Sequence, residues 1–439
     1  MTSDSPTPSE PTAEGGLRRQ LGFPDGLAHF LGTIIGSGIF FAPGFVAAVT
    51  PTAGWSVVPW LLGAAAACCG ALCYAECGAR LPRAGGFFVY LEEALGPAVA
   101  QVAAWLGLLI TYPASAAGIA WGCALALGQL GVTLWPPVLA MGAIVLAAAL
   151  NALHVRTAAW SLRLLSTGKL LGLALPILVG VWWGSSEVNA EAQFLPATVG
   201  ATAWFSCLSL VLWSLDGWSD ITLLAGELRE PRRQLPRIVI TGIYLLALTY
   251  AAVQVSVFRL LPASELASAD LPVAAAVEAG LGEGAGRLLA ILAAVSTFGA
   301  LTALLMSYPR LTWRLSRDGL LPTALSRVGA DGTPGRAVMV SAGLALVYAL
   351  HSSFNELVSL FTIAIWFFYS LTTFGLLRLR ARNVGEPGWS APVLAPAVVF
   401  LTTAAISVAT FRYAPQKALA GLAVLAAAAL IQWYRFRGR

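Results

Sequence analysis

The chain has 439 residues, 58% of them apolar and only 11% charged, with a formal net charge of +5. Soluble domains carry roughly 45–50% apolar and about 25% charged residues, so a water-soluble core is excluded, whereas a bilayer needs about 20 apolar residues per helical span. The positive balance would suit nucleic acid, but the placement of the basic residues argues against that partner.

Residues 1–22 read as a disordered cytoplasmic tail: Met1 to Gln20 is rich in Ser, Thr, Pro and Glu and has no apolar core, so it is not a secretory signal. Twelve apolar segments follow, at about 26–48, 55–80, 97–130, 134–153, 160–184, 200–226, 236–261, 285–312, 337–351, 355–378, 392–411 and 415–434. The start of the ninth is blurred by Gly335 and Arg336. Twelve spans put both termini on one side. With that side cytoplasmic, twenty-one basic residues fall inside, four (Arg259, Arg287, Arg412, Lys417) fall outside, and Lys169 lies within a span. This is the positive-inside pattern, and adding or losing one early helix would ruin it. It points to a multi-pass protein of the cytoplasmic membrane with both termini cytoplasmic.

The first span reads Leu31-Gly-Thr-Ile-Ile-Gly-Ser-Gly-Ile-Phe40. Gly32 and Gly36 form a small-xxx-small pair that suits close helix packing. Packing does not explain Gly36-Ser37-Gly38 followed by Pro43, which favours a break. The second span carries Cys68, Cys69, Cys73 and Cys77. With Cys123 and Cys207 these are read as small buried apolar residues, since no His or acid joins them in a metal-binding pattern. The sixth span reads Trp213-Ser-Leu-Asp-Gly-Trp-Ser-Asp220, where an acid, a glycine and two hydroxyls interrupt an apolar run. Breaks in spans one and six are five spans apart, the arrangement of an inverted five-helix repeat with one discontinuous helix in each half. The implied units are 23–184 and 200–380, with two terminal helices over 391–435.

Unpaired backbone inside a membrane must face a ligand or a cavity. The half-helix after Ser37 offers free N–H groups and the positive end of a helix dipole, suited to a carboxylate, and Ser37 adds a hydroxyl. The half-helices that end at the breaks offer free carbonyls, suited to an ammonium, and Ile34, Trp213 and Ser214 are among the candidate substrate-binding residues there. Together they fit the zwitterion shared by all α-amino acids, with Gly36, Gly38 and Gly217 shaping the breaks.

Two charges lie deep. Lys169 is about nine residues into span five, where a lone charge is costly and usually functional, snorkelling being the plain alternative. Asp216 either caps the broken sixth helix or faces the substrate. Glu76 and Glu227, near the cytoplasmic ends of spans two and six, read equally as an inner gate of ion pairs or as solvated ends.

At these residues the chain resembles the amino acid–polyamine–organocation superfamily, and within it the L-type amino acid transporters and their bacterial relatives. The resemblance rests on Gly32 to Phe40, Leu72-Cys-Tyr-Ala-Glu76, Ala84 to Leu91, Asp216-Gly-Trp218, Gly226-Glu227, Pro231 to Pro236, Ser296-Thr-Phe-Gly299 and Arg310 to Pro322, in that order. Spans eleven and twelve match only in hydropathy. The resemblance implies an all-α integral membrane fold of two inverted five-helix repeats plus two terminal helices. It implies a carboxylate held by Ser37 and the amides around Gly38, an ammonium held by carbonyls near Ile34 and Trp213, and Trp213 as an aromatic gate whose bulk suits a small pocket. It also places the Lys169 ammonium between helices one and eight, where sodium-coupled relatives hold sodium, bonded to a carbonyl near Gly32 and a hydroxyl of Ser296 or Thr297. Relatives with Asp-Gly-Trp carry neutral or cationic substrates. The animal light chains have a cysteine between helices three and four for a heavy subunit; the loop near Gly131 to Pro137 has none, which implies no covalent heavy-chain partner and a monomer.

The expectation is therefore a secondary transporter exchanging amino acids by alternating access without sodium, the alternative being proton-coupled uptake or efflux, with no cofactor and no metal. An integral membrane enzyme is disfavoured because His29, His154 and His351 lie far apart and no nucleophile motif appears. A channel would show charged rings or pore loops, and a sensor would need more than these short tails.

Overall fold

The computed structural model describes residues 19–50, 52–153, 155–185, 188, 200–329, 332–352 and 354–413. Most of the expected tail and the whole segment 415–434 lie outside them. Among the described residues every element is helical, with no strand beyond one isolated parallel bridge between Leu21 and Leu228. That bridge ties the entry of the chain to the far end of the sixth expected span: Leu21 N donates to Glu227 O, and Arg229 N to Leu21 O, each at 3.0 Å.

The first expected span is two helices, α1 (Phe23–Ile34) and α2 (Gly38–Ala47), bent by 45° across the break. Pro24 in the first turn of α1, together with Asp25 Oδ2 accepting from Gly22 N at 2.9 Å, starts that helix where its amides have no internal partner. α3 (Ala53–Arg80) begins at Thr52, whose hydroxyl accepts from Trp55 N at 3.4 Å. α4 (Phe87–Leu95) follows, buried along Phe87 to Leu91. The third expected span is α5 (Pro97–Leu106) and α6 (Tyr112–Gln129), continuous through a π-helical stretch at Gly107–Thr111. α7 (Pro136–Leu153) and α8 (Val155–Trp182) complete the first half.

The sixth span is broken as well. α9 (Ala201–Ser214) stops, and the chain resumes as a 3-10 turn at Asp220–Leu224. Gly217 makes the corner with φ +108°, a conformation L side chains rarely adopt. α10 (Pro231–Leu260), α11 (Ala263–Ser268), α12 (Pro272–Leu281), α13 (Glu283–Ser307), α14 (Pro309–Arg317), α15 (Gly335–His351), α16 (Phe354–Ala381) and α17 (Ala395–Tyr413) complete the described chain. The first eleven expected segments thus each fall on helix. Among the described residues four helical stretches are long and apolar enough to cross a membrane (α3, α5 through α6, α10, and α13 with α14), or five with the bent α1–α2 pair.

Two differences from the expectation have plain causes. α4, α11 and α12 were not anticipated, because helices of 6–10 residues carry too few turns to show a clear period. α15 includes Gly335 and Arg336, because the residue before them is Pro334, which sets the helix start.

The broken helices pack within the bundle, with α8, α10 and α13 around α1 and with α2 crossing α9. The crossing depends on small residues. A Cβ on Gly38 would overlap Ser214, and one on Gly122 would lie 2.5 Å from the Ser37 Cβ. A Cβ on Gly242 of α10 would strike the Phe30 ring of α1, which is fully buried. Replacing Gly242 with Leu should therefore force overpacking, costing about 1–3 kcal/mol. Thermal unfolding of the detergent-solubilised variant should show a lower midpoint, and an unchanged midpoint would contradict this packing.

Candidate functional site

At the end of α1 the helix ladder stops and side chains take over. The amides that would normally pair with the last carbonyls of α1 belong to Gly36, Ser37, Gly38 and Ile39, and none of them donates a hydrogen bond among the described residues. Three of the freed carbonyls are instead met from three different helices. Lys169 Nζ from α8 donates to Gly32 O at 2.6 Å, Tyr250 Oη from α10 to Ile34 O at 3.3 Å, and Ser296 Oγ from α13 to Ile35 O at 3.3 Å. The Thr33 carbonyl has no partner among the described residues. Its hydroxyl bonds back to the His29 and Phe30 carbonyls at 3.1 and 3.0 Å and reaches Gly217 O at 3.4 Å, joining the two breaks.

Lys169 is only 3% exposed, so it does not snorkel to an interface. Of the hydroxyls expected beside it, Ser296 serves the Ile35 carbonyl, three residues further on, and Thr297 donates within its own helix to Ala293 O at 2.7 Å. The ammonium and the Ser296 hydroxyl thus act side by side on the same broken end.

Between the breaks lies a small cavity. Thr33, Ile34, Gly36, Ser37 and Gly38 line it from one break and Trp213, Asp216, Gly217 and Asp220 from the other. Ser37 Oγ is buried and has no hydrogen-bond partner. An unsatisfied buried hydroxyl costs about 1–3 kcal/mol, which a ligand that accepts from it recovers. Ser214 does not line the cavity: its hydroxyl donates to Leu210 O at 2.6 Å, and the residue sits where α2 crosses α9. The Trp213 carbonyl accepts Asp216 N at 3.2 Å, and its ring stands edge-on to Phe361 with centroids 4.9 Å apart. One wall of the cavity is therefore aromatic.

Asp216 is partly exposed to the cavity and accepts a 2.7 Å hydrogen bond from Tyr369 Oη on α16. Tyr369 also packs on Trp218, with centroids 4.1 Å apart, and on Tyr74 at 5.4 Å. Sequence reasoning missed both tyrosines of this site. Tyr250 and Tyr369 stand in apolar runs, and nothing in those runs separates a hydrogen-bonding tyrosine from a packing one.

Glu76 and Glu227 are both buried, not solvated. Glu76 takes Arg80 Nε at 2.9 Å, Arg380 Nε at 3.0 Å and the Ala391 amide at 2.7 Å, which fastens α3 to α16 and to the approach of α17. Glu227 takes Arg310 in a bidentate pair at 2.8 and 3.1 Å, and Arg310 also donates to the Met306 carbonyl. Two broken apolar helices around a cavity of peptide groups define an integral membrane transporter of small polar solutes.

The family description "amino acid permease" matches residues 21–431, and the chain belongs to that family. It is 31% identical over 404 residues to the b(0,+)-type amino acid transporter 1 of Homo sapiens, covering 88% of this chain and 81% of that one. It is 28% identical over 382 residues to the serine/threonine exchanger SteT of Bacillus subtilis (85% and 86%), and 29% identical over 427 residues to the Asc-type amino acid transporter 1 of Mus musculus (93% and 79%).

Removing one partner of a buried ion pair leaves an uncompensated charge and costs about 3–5 kcal/mol. Glu227→Gln should lower the unfolding midpoint far more than the paired change Glu227→Gln with Arg310→Met, read by thermal unfolding. Equal losses would mean that the pair is not coupled.

Proposed function

We propose that this permease exchanges one α-amino acid for another across the cytoplasmic membrane by alternating access, taking small neutral substrates and, through Asp216, cationic ones. The observation that carries the reading is the orphaned Ser37 hydroxyl beside the unengaged amides of Gly36, Ser37 and Gly38, in a cavity that Thr33 also lines. The substrate carboxylate accepts from Ser37 and from the amides around Gly38 at the start of α2, where the helix dipole favours an anion. The ammonium donates to the Thr33 carbonyl and to the remaining lone pair of Ile34. Gly36 and Gly217 let the two chains approach, and Trp213 closes over the substrate. Exchange as the mode is supported by the likeness to an exchanger from Bacillus subtilis.

In this reading the architecture is twelve spans with both termini cytoplasmic: repeats over 23–184 and 200–380, inverted with respect to each other, and terminal helices over 391–435. The positive-inside pattern and the two breaks five spans apart support it. The protein works alone, without a covalently linked heavy subunit. Lys169 supplies the positive charge and the hydrogen bond that a sodium ion would bring to the broken end of α1, so transport needs no sodium. Glu76 and Glu227 hold the cytoplasmic ends of their helices together as an inner gate.

Counterflow in proteoliposomes loaded with one amino acid should accumulate labelled serine or another small α-amino acid, at the same rate in sodium and in choline medium. Loss of uptake on replacing sodium with choline would refute the role given to Lys169. Absence of counterflow for every common amino acid would refute the transport assignment.

A further inference from the structure

Beyond the second broken span lies a groove lined by arginines that the substrate cavity does not use. Arg229 follows Leu228 of the isolated bridge, and Arg232 and Arg233 stand in the first turn of α10. The bridge brings a fourth from the start of the chain: with Leu21 bonded to Glu227 and Arg229, Arg19 reaches the same groove. One acid, Glu230, shares the lining, and it approaches only Arg233, at 3.8 Å between two exposed side chains. Among the described residues Arg19, Arg229 and Arg232 have no carboxylate partner. Gathered guanidinium groups repel one another, and their planar forks match a phosphate with two parallel N–H bonds each.

An excess of basic residues at this end fits the positive-inside pattern, but that pattern does not account for what adjoins them. Along α10 the side chains of Arg233, Arg237, Ile240, Tyr244 and Leu248 follow at steps of three and four, so they stack in one row on the helix surface. All five are exposed, Ile240 by 50%, Tyr244 by 65% and Leu248 by 54%. Ile240 to Leu248 rises about 12 Å, most of the roughly 15 Å of hydrocarbon in one leaflet. A free anion would use the arginines and leave the apolar row idle, whereas a phospholipid uses both. We propose that this face binds an anionic phospholipid, with its phosphate among Arg19, Arg229, Arg232 and Arg233 and an acyl chain along Ile240, Tyr244 and Leu248. Basic pockets beside membrane helices suit such headgroups. The bound lipid clips the entry of α1 to the start of α10. On the topology proposed above this end is cytoplasmic, which makes the lipid one of the inner leaflet; the site itself does not depend on that reading.

Native mass spectrometry of the purified full chain in detergent tests the site, with dioleoyl phosphatidylglycerol and dioleoyl phosphatidylcholine as probes and glycerol 1-phosphate as the headgroup alone. Phosphatidylglycerol should bind at least about tenfold more tightly than phosphatidylcholine. The triple variant Arg19→Gln, Arg229→Gln, Arg232→Gln should lose that preference, and lysine at the same three positions should keep most of it, which separates charge recognition from a defect in folding. Arg287→Gln, an exposed arginine outside the groove, should change nothing. Glycerol 1-phosphate in large excess should leave the lipid bound. The proposal is overturned if the two lipids bind equally, if the glutamine variant keeps the preference, or if the lysine and glutamine variants lose it alike. It is also overturned if glycerol 1-phosphate displaces the lipid, because the groove then holds a free anion. No substrate enters this measurement, so its failure leaves the exchange reading standing, and failure of exchange in proteoliposomes leaves this site standing.

Discussion

The peptide groups released where α1 stops are the constraint on which the rest of the site depends. A backbone carbonyl without a partner in a hydrocarbon-like interior costs several kcal/mol, so a helix cannot simply end there. This chain meets the demand with side chains from α8, α10 and α13, each aimed at a different carbonyl. What they leave over is selective. One carbonyl, four amides and one hydroxyl stay open among the described residues, and all but the Ile39 amide belong to residues that line the same cavity as the second break. The binding groups are thus the residue of a backbone-satisfaction problem solved almost completely.

The two breaks are also mechanically joined. Thr33 of α1 bonds Gly217 of the second break, and the crossing of α2 over α9 tolerates no side chain at Gly38. A change in either half-helix is therefore felt by the other. Two further fastenings lie outside the breaks, Glu76 to two arginines and an amide and Glu227 to Arg310. Buried pairs of this kind add little net stability over an apolar core, but breaking one is costly.

Much of this was legible in the sequence, and the reasons are specific. Helix breaks in an apolar run can be made only by a short list of residues, and Gly36-Ser37-Gly38 and Asp216-Gly217 are on it. A lone lysine in an apolar segment is conspicuous, so Lys169 stood out before its bond to Gly32 was known. Hydroxyls and aromatics are not conspicuous in the same way. Tyr250 and Tyr369 each supply a bond the site depends on, yet read as ordinary members of apolar helices. Asp220 looked like part of the interruption of span six, and only the fold sets it against the cavity. Ser214, adjacent to Trp213 in sequence, turned out to be spent on its own helix. Whether a polar side chain is free or committed depends on distant neighbours, which spacing along one chain does not report.

The central claim is that free peptide groups at the first break read both ends of a zwitterion. The most direct measurement is competition of labelled amino acid counterflow by pairs of analogues that differ only at those ends. The account predicts that the methyl ester, which lacks the carboxylate, and the deaminated acid, which lacks the ammonium, each compete at least about a hundredfold more weakly than the parent amino acid, since each loses two or more charge-assisted hydrogen bonds. Competition by either analogue at the strength of the parent would contradict it.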